Sequence, residues 1–162
     1  MKIKLSLFAL LIVSLFSGCL KDSQQPVTHS NDVNVSLTGT WTAVSGRVTY
    51  YDATGNVAFN AIVTPNSLEF DGSSSVKETD AEGSLTPGAY NISTTGNVDY
   101  ITIQGVTGND KYAIVSLQPR KLTLSETISY PDGNTLQAGE TTITYYSSVQ
   151  VNTYTKNDLP RN

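Results

Sequence analysis

From Leu37 onward, β-branched and aromatic residues come in short runs, and clusters of Gly, Asn, Asp and Pro separate them. Such runs suit a pleated, half-buried surface, and the clusters between them supply turns. The runs are Trp41 to Tyr51, Val57 to Val63, Ser67 to Phe70, Ser75 to Thr79, Ala89 to Ser93, Val98 to Ile103, Lys111 to Leu117, Lys121 to Tyr130 and Thr141 to Val151. Asp71-Gly72, Thr94-Thr95-Gly96-Asn97 and Pro131-Asp132-Gly133-Asn134 are the clearest turn signals between them. One run roughly every 10 to 14 residues, with no convincing helix, predicts an all-β antiparallel fold. An up-and-down β-barrel of about eight strands is expected, with a β-sandwich as the second architecture.

Alternation supports the strand assignment. Leu122 and Leu124 point one way and Thr123 and Ser125 the other, with Ile128 and Tyr130 continuing the apolar face. The tyrosine pairs Tyr50-Tyr51 and Tyr145-Tyr146 should each place one ring inside and one outside. From Leu37 to Asn162 the chain holds about 125 residues, enough for one domain and too few for two. The domain's expected limits are residues 37–151, with residues 152–162 as a C-terminal tail.

The amino-terminal segment has a different character. Met1 to Lys4 is positively charged, Leu5 to Phe16 is apolar, and Ser17-Gly18 is small. That is the layout of an export signal, and its apolar run is shorter than the roughly 20 residues of a spanning helix. Cys19 is the one cysteine in the chain, so no disulfide can form within it. Leu15-Phe16-Ser17-Gly18-Cys19 resembles the lipobox of bacterial lipoproteins, with Phe16 where leucine is usual. The resemblance implies that residues 1–18 are removed and that Cys19 receives acyl chains such as palmitate. Two or more chains give stable anchoring without a spanning helix. It also implies a Gram-negative outer membrane, with the domain facing the periplasm or the cell surface. Residues 19–36 read as a lipidated terminus and a polar, flexible tether that contains His29, the lone histidine. Without Lys2 and Lys4, eight basic residues stand against 14 acidic ones, a net charge of −6. That balance argues against a nucleic-acid partner, which needs a basic face.

Leu37-Thr38-Gly39-Thr40-Trp41 opens the first strand, Leu68-Glu69-Phe70-Asp71-Gly72 forms a hairpin, and Gly88-Ala89-Tyr90-Asn91-Ile92 and Lys121-Leu122-Thr123-Leu124 begin later strands. In that order these segments resemble the lipocalin-like domains of bacterial lipoproteins. The resemblance implies that Gly39 and Trp41 close one end of the barrel, with Arg120 as the candidate partner of the tryptophan. It also implies a cup for one small apolar or amphipathic molecule.

The chain offers little for catalysis. A Ser-His-Asp arrangement would need His29 from the tether, and no Cys/His cluster exists for zinc. Glu69 with Asp71, and Glu78 with Asp80, lie on shared sides of their strands and are either cation ligands, an acid/base pair or solvated turn residues. No cofactor is expected, and no enzyme. Two readings remain. One is a lipid-anchored binding module for a small hydrophobic ligand, whose binding residues the sequence leaves unknown. The other is a filled barrel that contacts an envelope protein or surface glycans. The volume left inside the barrel separates them.

Overall fold

The computed structural model describes residues 30–105 and 108–157. Cys19, the signal segment and most of the tether lie outside the described residues. Among the described residues are one helix, α1 (Ser30–Leu37), and nine strands: β1 (Gly39–Tyr51), β2 (Val57–Val63), β3 (Ser67–Phe70), β4 (Ser75–Thr79), β5 (Leu85–Thr95), β6 (Val98–Gln104), β7 (Asn109–Gln118), β8 (Lys121–Ala138) and β9 (Thr141–Lys156).

Each strand from β3 to β9 pairs antiparallel with the next, and β9 returns to pair with β1. One edge of β1 is shared: Gly39 to Trp41 pair with β3, and Gly46 to Tyr51 pair with β2. The other edge pairs with β9 from Trp41 to Tyr51. The result is a closed eight-stranded up-and-down barrel, β1 with β3 to β9, plus the extra strand β2. Closure removes the sticky edges of an open sheet. The expectation of an all-β barrel holds.

Gly46 marks the place where β1 changes partner. A Cβ there would lie 2.8 Å from the Val63 side chain and 2.9 Å from both the Val63 carbonyl and Asn152. Only a residue without a side chain lets the three strands approach so closely.

Three hairpins are built on one device. Asp52, Asp71 and Asp80 each begin a turn, and one carboxylate oxygen accepts backbone N–H bonds from residues two and four positions on. This is Asx-turn chemistry, which fixes the loop locally. The N–H bonds of Ser73 and Ser75 hold the Asp71 carboxyl well below the usual range, and the Thr54 hydroxyl and the Asn56 N–H do the same for Asp52.

Four sequence expectations need correction. A helix exists after all: residues 30–36, read as part of the tether, form α1 together with Leu37, read as the start of the β domain. Its polar composition hides a single i, i+4 pair, Val33 and Leu37, both 0 % exposed. The helix owes its place to packing, since eight residues cannot hold a helix alone. Second, β5 begins at Leu85, within a stretch read as loop. Pro87 there pairs with Lys77 of β4, and the β6 pairing begins only at Ala89, so its missing N–H leaves that side unharmed. Third, Pro131 to Asn134 do not end β8. They form a bulge between Ser129 and Asn134, tolerated because β7 pairs with β8 only as far as Ser125. Fourth, the expected tail beyond Val151 is the end of β9, which pairs there with both β1 and β8 and buries Asn152 and Tyr154.

Candidate ligand-binding site

The barrel interior has two unlike ends. At the end where β1 begins, apolar side chains fill it. Trp41, Leu122 and Ile101 are 0 % exposed, and Phe70, Val76 and Leu124 are nearly so. Phe70 and Tyr90 meet edge to face with centroids 4.9 Å apart, a preferred aromatic geometry. Helix α1 caps this end through Val33 and Leu37. The last helical carbonyls, which lack partners inside any helix, are taken up one by one. Asn34 accepts from the Thr38 backbone N–H and hydroxyl, Leu37 from Trp41 Nε1 at 2.6 Å, and Ser36 from Lys156 Nζ at 3.2 Å. Lys156 also sits 5.2 Å from the centroid of the Trp41 ring, so one ammonium serves the helix C-terminus and the ring face.

The residues expected to close the barrel meet at this end. Trp41 is in the plug. Gly39 takes φ +113°, open to glycine, and a Cβ would come 3.1 Å from Lys156 Cε. Arg120 lies in the β7–β8 turn, where its carbonyl accepts the Lys156 N–H at 3.1 Å. The sequence missed Lys156, because the segment that carries it read as a tail.

The opposite end is open. A cavity of about 540 Å³ enters the barrel there, within the range of small-molecule sites. Its floor is apolar: Leu68, Ile103 and Leu124. Its walls are polar. Tyr154 and Asn152 rise from β9, and each is 3 % exposed. Gln150 follows, with its amide donating to Asn152 Oδ1 at 3.1 Å. Across from them stand Glu78 of β4, Asp110 and Tyr112 of β7, and Asn66 before β3, whose amide donates to Glu78 Oε2 at 3.3 Å. Glu126 sits beside Gln150 in the β8–β9 register, one inward position beyond Leu124. Burial, and then the negative charge of Asp110, raise its carboxyl above the ordinary value. Burial likewise pushes Tyr154 up to about 12 and raises Tyr112, to which Glu126 and Asp110 add.

Beyond the mouth the wall continues on one side only. The outer halves of β9, β1 and β8, with β2, form a projecting sheet whose inner face carries an aromatic cluster. Tyr145 meets Tyr50 at 4.7 Å and Tyr130 at 5.0 Å, both edge to face, and Tyr50 meets Phe59 at 6.2 Å. Of the pair Tyr145-Tyr146, the first ring is 7 % exposed and the second 37 %, as alternation predicts. The carboxylate pairs read from the sequence separate. Glu69 turns outward to Lys77 at 3.4 Å, Asp71 and Asp80 hold their own turns, and Glu78 alone faces the cavity. No group of three or more metal-binding side chains occurs among the described residues.

Neither a family model nor a curated protein matches this chain. Among solved structures, a lipocalin-like protein from Bacteroides uniformis is similar over 68 % of this chain and 96 % of its own length, at 18 % identity and a TM-score of 0.34.

Proposed function

We propose that this protein is a lipid-anchored binding protein of the bacterial outer membrane that holds one small amphipathic molecule in its barrel. The observation that carries the reading is the 540 Å³ cavity with an apolar floor and hydrogen-bonding walls. A barrel that worked only through its outer surface would have no reason to keep such a chamber when close packing stabilises. The closed end is filled with large side chains to the usual standard, so the emptiness of the other end is local. The aromatic wall beside the mouth extends the surface that a ligand's apolar or ring portion would meet. The segment Leu15 to Cys19 supports the anchor, which places the domain on the periplasmic or outer face of the membrane.

Native mass spectrometry of the full chain, released from membranes in mild detergent, tests the binding role. A reproducible extra mass that leaves on denaturation is the expected result. A clean apo mass from several preparations, together with no binding in a titrated panel of small amphiphiles, would sink the proposal. Labelling cells with a radioactive or clickable palmitate tests the anchor, and label retained by Cys19→Ser would refute it.

A further inference from the structure

We propose that the molecule held in this cavity is a cation: an amine or quaternary ammonium on an apolar or ring-bearing body. The inference rests on reading the cavity as the binding site. Three features of the chamber lead to it. First, its ionisable wall is of one sign. Glu78 and Asp110 line it, Glu126 stands beside Gln150, and among the described residues no lining side chain is basic. An anion would meet like charge on entry, and a neutral molecule would leave the mutual repulsion of Asp110 and Glu126 in place. A cation in the chamber beside Asp110 offsets it. Second, the rings of Tyr112 and Tyr154 flank the same space, and an ammonium is attracted to aromatic faces when partly removed from water. Third, the floor of Leu68, Ile103 and Leu124 gains nothing from a bare ion. It suits an attached apolar body.

The cavity carboxylates also differ from those elsewhere on the molecule. Asp52, Asp71 and Asp80 are committed to backbone N–H groups of their own turns. Glu69 faces Lys77. Among the described residues, the cavity group Glu78 accepts one long bond, from the Asn66 amide, which leaves acceptor capacity facing the chamber.

The test uses the full chain in lipid nanodiscs, titrated calorimetrically with 4-phenylbutylammonium, 4-phenylbutanol and 4-phenylbutanoate, with empty nanodiscs as the blank. The three share a body and differ in head-group charge. The expected order is ammonium, then alcohol, then carboxylate, with the ammonium at least about tenfold tighter than the alcohol. In a Glu78→Gln, Asp110→Asn, Glu126→Gln variant that still melts cooperatively, the preference should fall below about threefold. Should that variant not fold, salt serves on the native chain: raising it from about 20 to 500 mM should weaken the ammonium and spare the alcohol. Equal affinity for all three probes overturns the cation inference and leaves the chamber a binding site. Binding of none overturns both.

Discussion

The two ends of the barrel are made from the same strands and differ in almost everything else. At the closed end inward positions carry Trp41, Phe70, Ile101 and Leu122, a helix seals them, and the carbonyls of Asn34, Ser36 and Leu37 at its end find donors. At the open end inward positions of β4, β7 and β9 carry Glu78, Asp110, Gln150 and Asn152, and these line a cavity. Close apolar packing and the open cavity are thus divided along the barrel axis. Filling an interior gains about 1.5–3 kcal/mol for each large apolar side chain, and the closed end collects that gain. The open end forgoes it and keeps polar groups around a cavity.

Substitution should expose the division. Trp41→Ala removes the largest side chain of the plug, its bond to Leu37 and its contact with Lys156, and should cost about 3–5 kcal/mol in urea unfolding. Leu37→Ala should cost about 2–4 kcal/mol, because its side chain is wholly enclosed. A chain begun at Gly39 should be destabilised at least as much as that variant, whereas one begun at Ser30 should not. Equal stability of the two truncations would mean that α1 is a passive lid.

The alkaline limb gives a third comparison. Tyr154 is raised from about 10 to about 12 in the fold. A raised folded pKa contributes stability below the unfolded value, and that contribution is lost as pH rises from about 10 through 12. A two-unit difference is worth on the order of 2 kcal/mol. Unfolding free energies should therefore decline over that window, in parallel with phenolate absorbance, and Tyr154→Phe should flatten the decline. A decline equally steep in the variant would assign the effect to other groups. The smallest change is expected at the open mouth. Asp110→Asn should alter stability by less than about 0.5 kcal/mol, because the side chain is exposed and removes no packing. A loss near that of Leu37→Ala would show that the two ends are energetically alike.

Much of the barrel was legible beforehand. Runs such as Ser67 to Phe70 and Ser75 to Thr79 match their strands residue for residue, because a tight turn anchored by Asp71 sits between them. Boundaries failed where a proline falls on an unpaired edge, as at Pro87 and Pro131, since the sequence does not say which edge of a strand is covered. The helix failed for another reason. In Ser30 to Leu37 the apolar residues are Val33, Val35 and Leu37, of which Val33 and Leu37 are buried in the core and Val35 is exposed, too few to leave a period of 3.6. The site was the least legible part. Its wall residues look like solvated polar positions until closure turns them inward, and Glu78 could not be told from Asp80 by spacing.

The sequence by itself determined the rhythm of strands and turns, the all-β class, the acidic balance and the position of Cys19 beside an apolar leader. These are local properties, written in neighbouring side chains and in turn chemistry that acts over two to four residues. Tertiary structure decided the rest: that α1 plugs one end, that Lys156 covers Trp41 from 115 residues away, and that Glu78 and Asp110 line one chamber. Those relations depend on strand register and on the closing of β9 against β1, and both are set only when inward faces from distant parts of the chain pack together.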